Sequence, residues 1–114
     1  MILAVALLGG CDEPQTKGRV EGVVLAAPTC PVQQQGQLCL PRAVEGEVQA
    51  VRDGRVEAST RTSPTGHYEL ALAAGEYVLI VDVDGSLPAC PQLLTAVRAA
   101  ATTTVDIDCD TGIR

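Results

Sequence analysis

Five cysteines carry the clearest chemistry in this sequence, because a thiol can form a disulfide, bind a metal or accept a lipid. Four of them, Cys30, Cys39, Cys90 and Cys109, follow residue 19 and allow three pairings. We predict Cys30–Cys39, which closes a proline-flanked loop, and Cys90–Cys109, which ties the segment before Leu93 to the last strand. Each bridge would contribute about 2–3.5 kcal/mol by constraining the unfolded chain.

His67 is the one histidine of the chain. The alternative to disulfides, a zinc site, is disfavoured because no Cys-x-x-Cys spacing occurs and His67 is isolated in a predicted strand. Catalysis by His67 would need a nucleophile or an orienting acid. The acids that could serve are Glu69, its neighbour on the outward face, and Glu76, which would lie across a hairpin from it. No Gly-x-Ser-x-Gly elbow or phosphate-binding loop is present. We therefore predict no catalytic residue, no metal and no cofactor.

Five aspartates form one further set near the ends of two predicted strands: Asp82, Asp84, Asp106, Asp108 and Asp110. They alternate with apolar residues, which is typical of a strand with one solvated face. If those strand ends converged, the carboxylates would instead suit calcium. The spacing lacks the Asp-x-Asp-x-Asp-Gly pattern of a calcium loop, so the sequence favours the solvated face.

The N-terminus has an apolar run, Met1–Leu8, followed by Gly9-Gly10-Cys11. The run is too short to span a bilayer and resembles the apolar part of a signal peptide. Leu8-Gly9-Gly10-Cys11 resembles the lipobox of bacterial lipoproteins, which implies a diacylglyceryl group on Cys11 and cleavage before it. We therefore expect a signal peptide over residues 1–10, a lipidated cysteine and polar tether over 11–18, and one domain over 19–114.

Composition limits the partners. The net charge is −6 and the eight basic residues are scattered, so no basic stripe for nucleic acid is present. Arg52 and Arg55 flank the turn Asp53-Gly54, and such a basic tip suits anionic lipid, an acidic partner or simple solubility. The loop Pro28–Pro41, closed by the predicted Cys30–Cys39 bridge, is a candidate binding surface.

Period-two alternation of apolar residues predicts a chain made of strands. Seven are predicted: Arg19–Leu25, Ala43–Val51, Arg55–Arg61, His67–Leu72, Glu76–Val83, Leu93–Arg98 and Thr102–Asp108. We expect His67–Leu72 and Glu76–Val83 to pair as a hairpin closed by Ala73-Ala74-Gly75. The alternation places Tyr68, Leu70 and Leu72 on the inward face of the first strand and Tyr77, Leu79, Val81 and Val83 on that of the second. The pattern favours an all-β, antiparallel, Greek-key type sandwich of seven strands with two disulfides.

In this order of elements the chain resembles a carboxypeptidase regulatory-like domain, a prealbumin-like sandwich. The matching segments are Val20–Val24, Val44–Val48, Thr62–Gly66 with the following Tyr68, and Leu72–Tyr77. The last contains the Gly-x-Tyr turn that is most specific to the family. Pro28–Pro31 and Asp110–Arg114 are similar to small bacterial lipoproteins that carry this domain alone. The resemblance implies an accessory or stabilising module without catalytic residues.

The predicted function is that of a non-catalytic lipoprotein on the extracytoplasmic side of the cell membrane. It would be held there by the lipid on Cys11 and act as a binding or structural module with an envelope protein partner. The alternatives are a stabilising subunit of an envelope enzyme or transporter, and a loop-based protease inhibitor. Exposed sheet edges also allow a partner to add a strand.

Overall fold

The computed structural model describes residues 16–30 and 39–113, and within them every regular element is a β-strand. The strands are β1 (Gly18–Ala27), β2 (Arg42–Ala43), β3 (Glu47–Arg52), β4 (Arg55–Arg61), β5 (His67–Leu72), β6 (Gly75–Asp82), β7 (Leu93–Val97), β8 (Thr102–Thr104) and β9 (Ile107–Asp110). They form two sheets that share one core. The all-β sandwich is confirmed, with nine strands in the place of seven. The described residues include no helix long and apolar enough to cross a membrane.

The first sheet is built around β1. It pairs antiparallel with β5 through residues 18–23 and with β2 near its end. On its other side β1 runs parallel to β8 and then to β9. The sheet is therefore mixed, whereas the sequence predicted antiparallel pairing throughout.

The two additional strands come from predicted strands that the chain divides. Residues 43–51 separate into β2, in the first sheet, and β3, in the second, because the chain crosses between sheets at residues 44–46. The Thr62 hydroxyl holds this crossing: it donates to the Val44 carbonyl at 2.7 Å and accepts from the Gly46 amide at 3.0 Å.

The predicted strand Thr102–Asp108 divides into β8 and β9 at Val105 and Asp106. The Val105 amide still donates to the Glu21 carbonyl, but Asp106 uses its side chain to accept the Val23 amide at 3.0 Å. Gly22 lies beside this step, and a Cβ atom there would fall 1.9 Å from the Val105 carbonyl oxygen. The glycine of the first strand is thus required by a close backbone approach.

The second sheet has the strand order β4-β3-β6-β7, and all its pairs are antiparallel. β3 and β4 are joined by Asp53-Gly54, whose φ angles of 54° and 76° confirm the predicted tight hairpin turn. A bulge near Ala50 adds one residue to β4, so that Val51 lies opposite Val56. As a result Val56 turns to the same side of the sheet as Val51.

The predicted hairpin of His67–Leu72 with Glu76–Val83 is wrong. β5 pairs with β1 in the first sheet and β6 pairs with β3 and β7 in the second. The short connection at residues 73–74 carries the chain from one sheet to the other. Each strand has one buried face, and in a sandwich those faces can oppose each other across the core as readily as they can lie side by side. Tyr77 holds the connection by donating to the Ala73 carbonyl at 2.6 Å.

The core lies between the sheets and is built from aliphatic residues around two tyrosines. Tyr68 and Tyr77 are each 2% exposed, which confirms their predicted inward orientation. The two predicted disulfides are present. Cys90–Cys109 joins the segment before β7 to β9 at the edge of the core, and Cys30–Cys39 joins the residues on either side of 31–38.

Candidate binding surface

The second sheet carries apolar side chains on both of its faces. In β6 the inward residues are Tyr77, Leu79 and Val81, and between them Val78 and Ile80 point outward and remain partly exposed. A strand that faced water on one side would carry polar residues at those two positions. The outer face of this sheet is therefore not an ordinary solvated surface.

Four of the outward residues form a continuous line across the sheet, which we call the outer row. Cross-strand pairing sets Val56 of β4 opposite Val51 of β3, Val51 opposite Val78 of β6, and Val78 opposite Leu94 of β7. The line crosses three gaps between strands, or ~14 Å. Ile80 lies on the same face, two residues further along β6 than Val78.

The two ends of the outer row are strongly exposed: Leu94 is 80% and Val56 is 54% exposed. None of the four side chains is among the apolar residues that pack on the core. Contiguous exposed apolar residues on a soluble domain usually mark an interaction site. Packing within the domain therefore does not account for the outer row.

Polar side chains surround the outer row. At one end of the sheet Glu47, Arg61 and Asp82 share its face. Gln49, between them and the row, donates to the Glu47 carboxylate at 3.1 Å. On the β7 side a depression of about 180 Å³ is lined by Glu76, Leu94, Thr95 and Ala96. An apolar centre with a polar rim is the usual anatomy of a protein interface.

The structure gives His67 no catalytic setting. Its side chain is exposed on β5, and the adjacent carboxylate, Glu69, forms a salt bridge with Arg19 at 2.6 Å. Glu76 belongs to the other sheet and does not lie across from it, contrary to the expectation from the hairpin. Ser63, the nearest serine along the chain, accepts the His67 amide at 3.1 Å and so shapes the turn before β5.

The five aspartates are exposed, as expected of a solvated strand face. Asp106 binds the Val23 amide, and Asp110 accepts the Gly112 amide at 2.9 Å. Within the described ranges no three His, Cys, Asp or Glu side chains come together in a way that would hold a metal ion. The calcium interpretation therefore gains no support from the geometry.

Two predicted features fall outside the described residues. Cys11, the predicted lipidation site, is one, together with the signal segment of residues 1–10. The centre of the Pro28–Pro41 loop, residues 31–38, is the other. Leu40, just beyond the Cys30–Cys39 bridge, is 64% exposed and its carbonyl accepts the Thr29 hydroxyl at 2.9 Å.

Sequence reasoning missed the outer row, although the sequence contains a signal for it. Residues 77–81 read Tyr-Val-Leu-Ile-Val, an unbroken apolar run, and such a run indicates a strand that is covered on both faces. Alternation alone assigns Tyr77, Leu79 and Val81 to the core and leaves Val78 and Ile80 without a role. The pairing of Val56 with Val51 had no sequence signal, because it depends on the bulge in β4.

No protein-family model matches the chain, and no curated protein matches it in sequence. Solved structures do match. The minor pilin GBS52 of Streptococcus agalactiae aligns with a TM-score of 0.57 and 15% identity over 85% of this chain and 45% of its own. A DUF3823 family protein of Parabacteroides merdae aligns with a TM-score of 0.56 and 17% identity over 84% of this chain and 47% of its own. The TIE protein of Bacillus anthracis aligns with a TM-score of 0.56 and 13% identity over 84% of this chain and 17% of its own.

This chain thus spans less than half the length of each of these proteins. At such identities the likeness shows the fold alone, an immunoglobulin-like or prealbumin-like β-sandwich.

Proposed function

We propose that this protein is a non-catalytic binding module of the cell envelope, anchored by a lipid on Cys11, and that it holds a protein partner through the outer row. The observation that carries the proposal is the line Val56–Val51–Val78–Leu94, exposed at both ends and rimmed by charge. A stable contact buries ~800 Å² on each partner, so this row is the apolar centre of a larger interface.

The occupant that fits this surface is a different envelope protein with an apolar ridge, not a second copy of the chain. In a face-to-face pair of copies, the acidic residues around the row would crowd one another. Among the residues that the structure describes, the rim contains Glu47, Glu76 and Asp82 but only Arg61 as a cation directly on the same face. Like charges around an apolar centre disfavour self-association and select partners of complementary charge.

The finer family assignment, a carboxypeptidase regulatory-like domain, belongs to this proposal. It is supported by the buried tyrosines that follow Gly66 and Gly75, and by the tight turn in which the Gly66 amide donates to the Ser63 carbonyl. The similar solved structures support the sandwich only, and they include a pilin. A module of this kind would act by contact.

A photoreactive residue placed at position 94 tests the binding surface in intact cells. Leu94 is suitable because it is 80% exposed, so its replacement leaves the core untouched. The control is the same residue at Ala71, which is exposed on the outer face of the other sheet. We expect one recurrent envelope protein to be captured from position 94 and not from position 71, and the capture to be lost in Val78→Asp.

Equal capture from both positions, or an adduct of two copies of this chain, would contradict the proposed surface. The identity of the captured protein also separates the two envelope roles. If an enzyme or transporter is captured and loses abundance when this protein is deleted, the module is a stabilising subunit. The lipid anchor is tested separately by the intact mass of the membrane-extracted protein, where an unmodified Cys11 would refute it.

A further inference from the structure

Basic residues that are scattered in the sequence come together in the fold. Five of the seven Lys and Arg residues in the described part of the chain lie at one end of the sandwich: Lys17, Arg19, Arg52, Arg55 and Arg98. We call this the basic end. The remaining two, Arg42 and Arg61, lie at the opposite end.

Backbone contacts fix the position of these residues. The chain enters the domain at Lys17, whose carbonyl accepts the Ala100 amide at 3.1 Å, beside Arg98 at the end of β7. The Arg52 guanidinium donates to the Ala74 carbonyl at 3.5 Å, which brings the β3–β4 turn against the β5–β6 connection. The start of β1, the ends of β3 and β7 and the start of β4 therefore meet at one place.

The acidic residues gather at the other end, where β1, β4 and β6 terminate: Glu45, Glu47, Asp82, Asp84, Asp108 and Asp110. At the basic end the carboxylates are Asp53 and Glu76, with Glu69 already bound to Arg19. Glu21 and Glu57 lie two residues further along β1 and β4, after Arg19 and Arg55. Although the chain as a whole is negative, its cations are thus concentrated at the end of the strands where the N-terminal segment begins.

Three of the five cations are available to a partner. Arg19 is engaged by Glu69, and Arg52 lies over the Tyr77 ring at 4.9 Å from its centroid. Lys17, Arg55 and Arg98 are exposed and form no salt bridge with any other described residue. Arg52 is also only partly buried, so its charge still contributes to the local potential.

We propose that the basic end docks on anionic phospholipid head groups, so that the domain stands on the membrane in one orientation. The inference rests on the proposed lipid at Cys11, from which residues 12–18 reach at most ~23 Å to the first strand. Within that radius the anchor keeps the basic end at a high effective concentration over the head groups. Each Arg or Lys near an anionic surface then favours the docked state by roughly fivefold.

Connectivity is what favours lipid over an acidic protein as the occupant. The chain leaves the domain toward its anchor at Lys17, so this end faces the bilayer before any partner is considered. The acidic end, with Asp84 and Asp108, is the end that an anionic surface repels. Charge and connectivity therefore specify the same orientation independently.

Amide hydrogen exchange of the full chain on vesicles tests the docking. The chain would be studied on vesicles of neutral phosphatidylcholine and on vesicles containing a third phosphatidylglycerol. We expect the turns at residues 53–54 and 98–101 to be protected on the anionic vesicles only. In Arg55→Gln/Arg98→Gln the docked-to-free ratio should fall on the order of 25-fold, and 0.5 M salt should abolish the protection in the native chain.

The matched control is Arg42→Gln/Arg61→Gln, which removes the same number of charges from the opposite end and should retain the protection. The docking would be overturned by any of three results: equal effects of the two double variants, protection of the acidic end, or the same exchange protection on both kinds of vesicle. Flotation on neutral vesicles reports the anchor by itself. A chain that floats there without showing anionic-dependent protection refutes the docking alone, and one that fails to float refutes the anchor and this inference with it.

Discussion

Tyr68→Phe is the substitution whose outcome can be worked out most fully from the structure. Tyr68 is 2% exposed and its hydroxyl donates to the Val105 carbonyl at 2.6 Å, at the irregular step between β8 and β9. The substitution deletes one oxygen and leaves that carbonyl without this donor. We expect a loss of about 1–2 kcal/mol in the free energy of unfolding. In a domain of this size that lowers the Tm by roughly 4–8 °C for each kcal/mol.

The same substitution changes the response to alkaline pH. Burial, and secondly the Asp106 carboxylate, raise the pKa of Tyr68 above its ordinary value near 10. The folded state therefore keeps the phenolic proton at a pH where the unfolded state has lost it. The stability that this group contributes is complete below pH 10 and falls as the pH rises above 10, by up to about 1.4 kcal/mol per pH unit. Phenylalanine cannot ionise, so the variant lacks that fall.

Urea unfolding followed by circular dichroism at pH 7, 9, 10.5 and 11 would measure both effects. The free energy of unfolding of the native chain should exceed that of Tyr68→Phe at pH 7. The difference between the two free energies should shrink above pH 10. Tyr77→Phe is the matched control at pH 7, since it removes a buried hydroxyl that donates to the Ala73 carbonyl at the same distance. A difference that stays constant to pH 11 would refute the argument from burial, and one below about 0.3 kcal/mol at pH 7 would refute the hydrogen-bond argument.

Two further predictions concern the backbone constraints of the fold. Cys90→Ala/Cys109→Ala should cost about 3 kcal/mol and Cys30→Ala/Cys39→Ala somewhat less, because the first bridge spans 19 residues and the second 9; urea midpoints in the reverse order would contradict this. Gly22→Ala should cost about 2–3 kcal/mol, since its Cβ would meet the Val105 carbonyl oxygen at 1.9 Å. Gly85 has a φ of 83°, and a Cβ atom added there would have no atom within 4 Å, so Gly85→Ala should lower the free energy of unfolding by only about 1–2 kcal/mol. Equal losses of stability for the two variants in thermal melts would argue against a steric role for Gly22.

Local alternation was enough to locate the strand-forming segments and their buried faces, although it did not show that two of these segments divide. The inward positions Tyr68, Leu70 and Leu72 of β5 are buried as predicted, as are Tyr77 and Leu79 of β6, because the period of two is a property of the strand itself. The Asp53-Gly54 turn was also predictable, since its backbone angles require those residue types. These features depend on neighbours in sequence.

Which sheet a strand joins depends on partners that are distant in sequence. The short link after Leu72 suits either a hairpin or a crossing between sheets, and no residue in it distinguishes the two. The parallel pairing of β1 with β8 and β9 joins segments more than 80 residues apart. For the same reason the sequence did not predict the outer row or the basic end. The pairing of Val51 with Val56 and the hydrogen bond between Lys17 and Ala100 arise only from that topology.

The two proposed surfaces are related by the direction of the strands. Val51 and Val56 each adjoin a residue of the basic end, Arg52 and Arg55, so the outer row lies within ~10 Å of the β3–β4 turn at about 3.3 Å per residue. If that turn rests on head groups, the strands stand away from the bilayer and the row runs parallel to it, close to the lipid surface. The partner must then present its apolar ridge at that height, as a membrane-anchored protein does and a freely diffusing one need not. It follows that Arg55→Gln/Arg98→Gln should weaken capture from position 94 in cells while leaving the row intact, whereas Val78→Asp should abolish capture without changing exchange protection on vesicles.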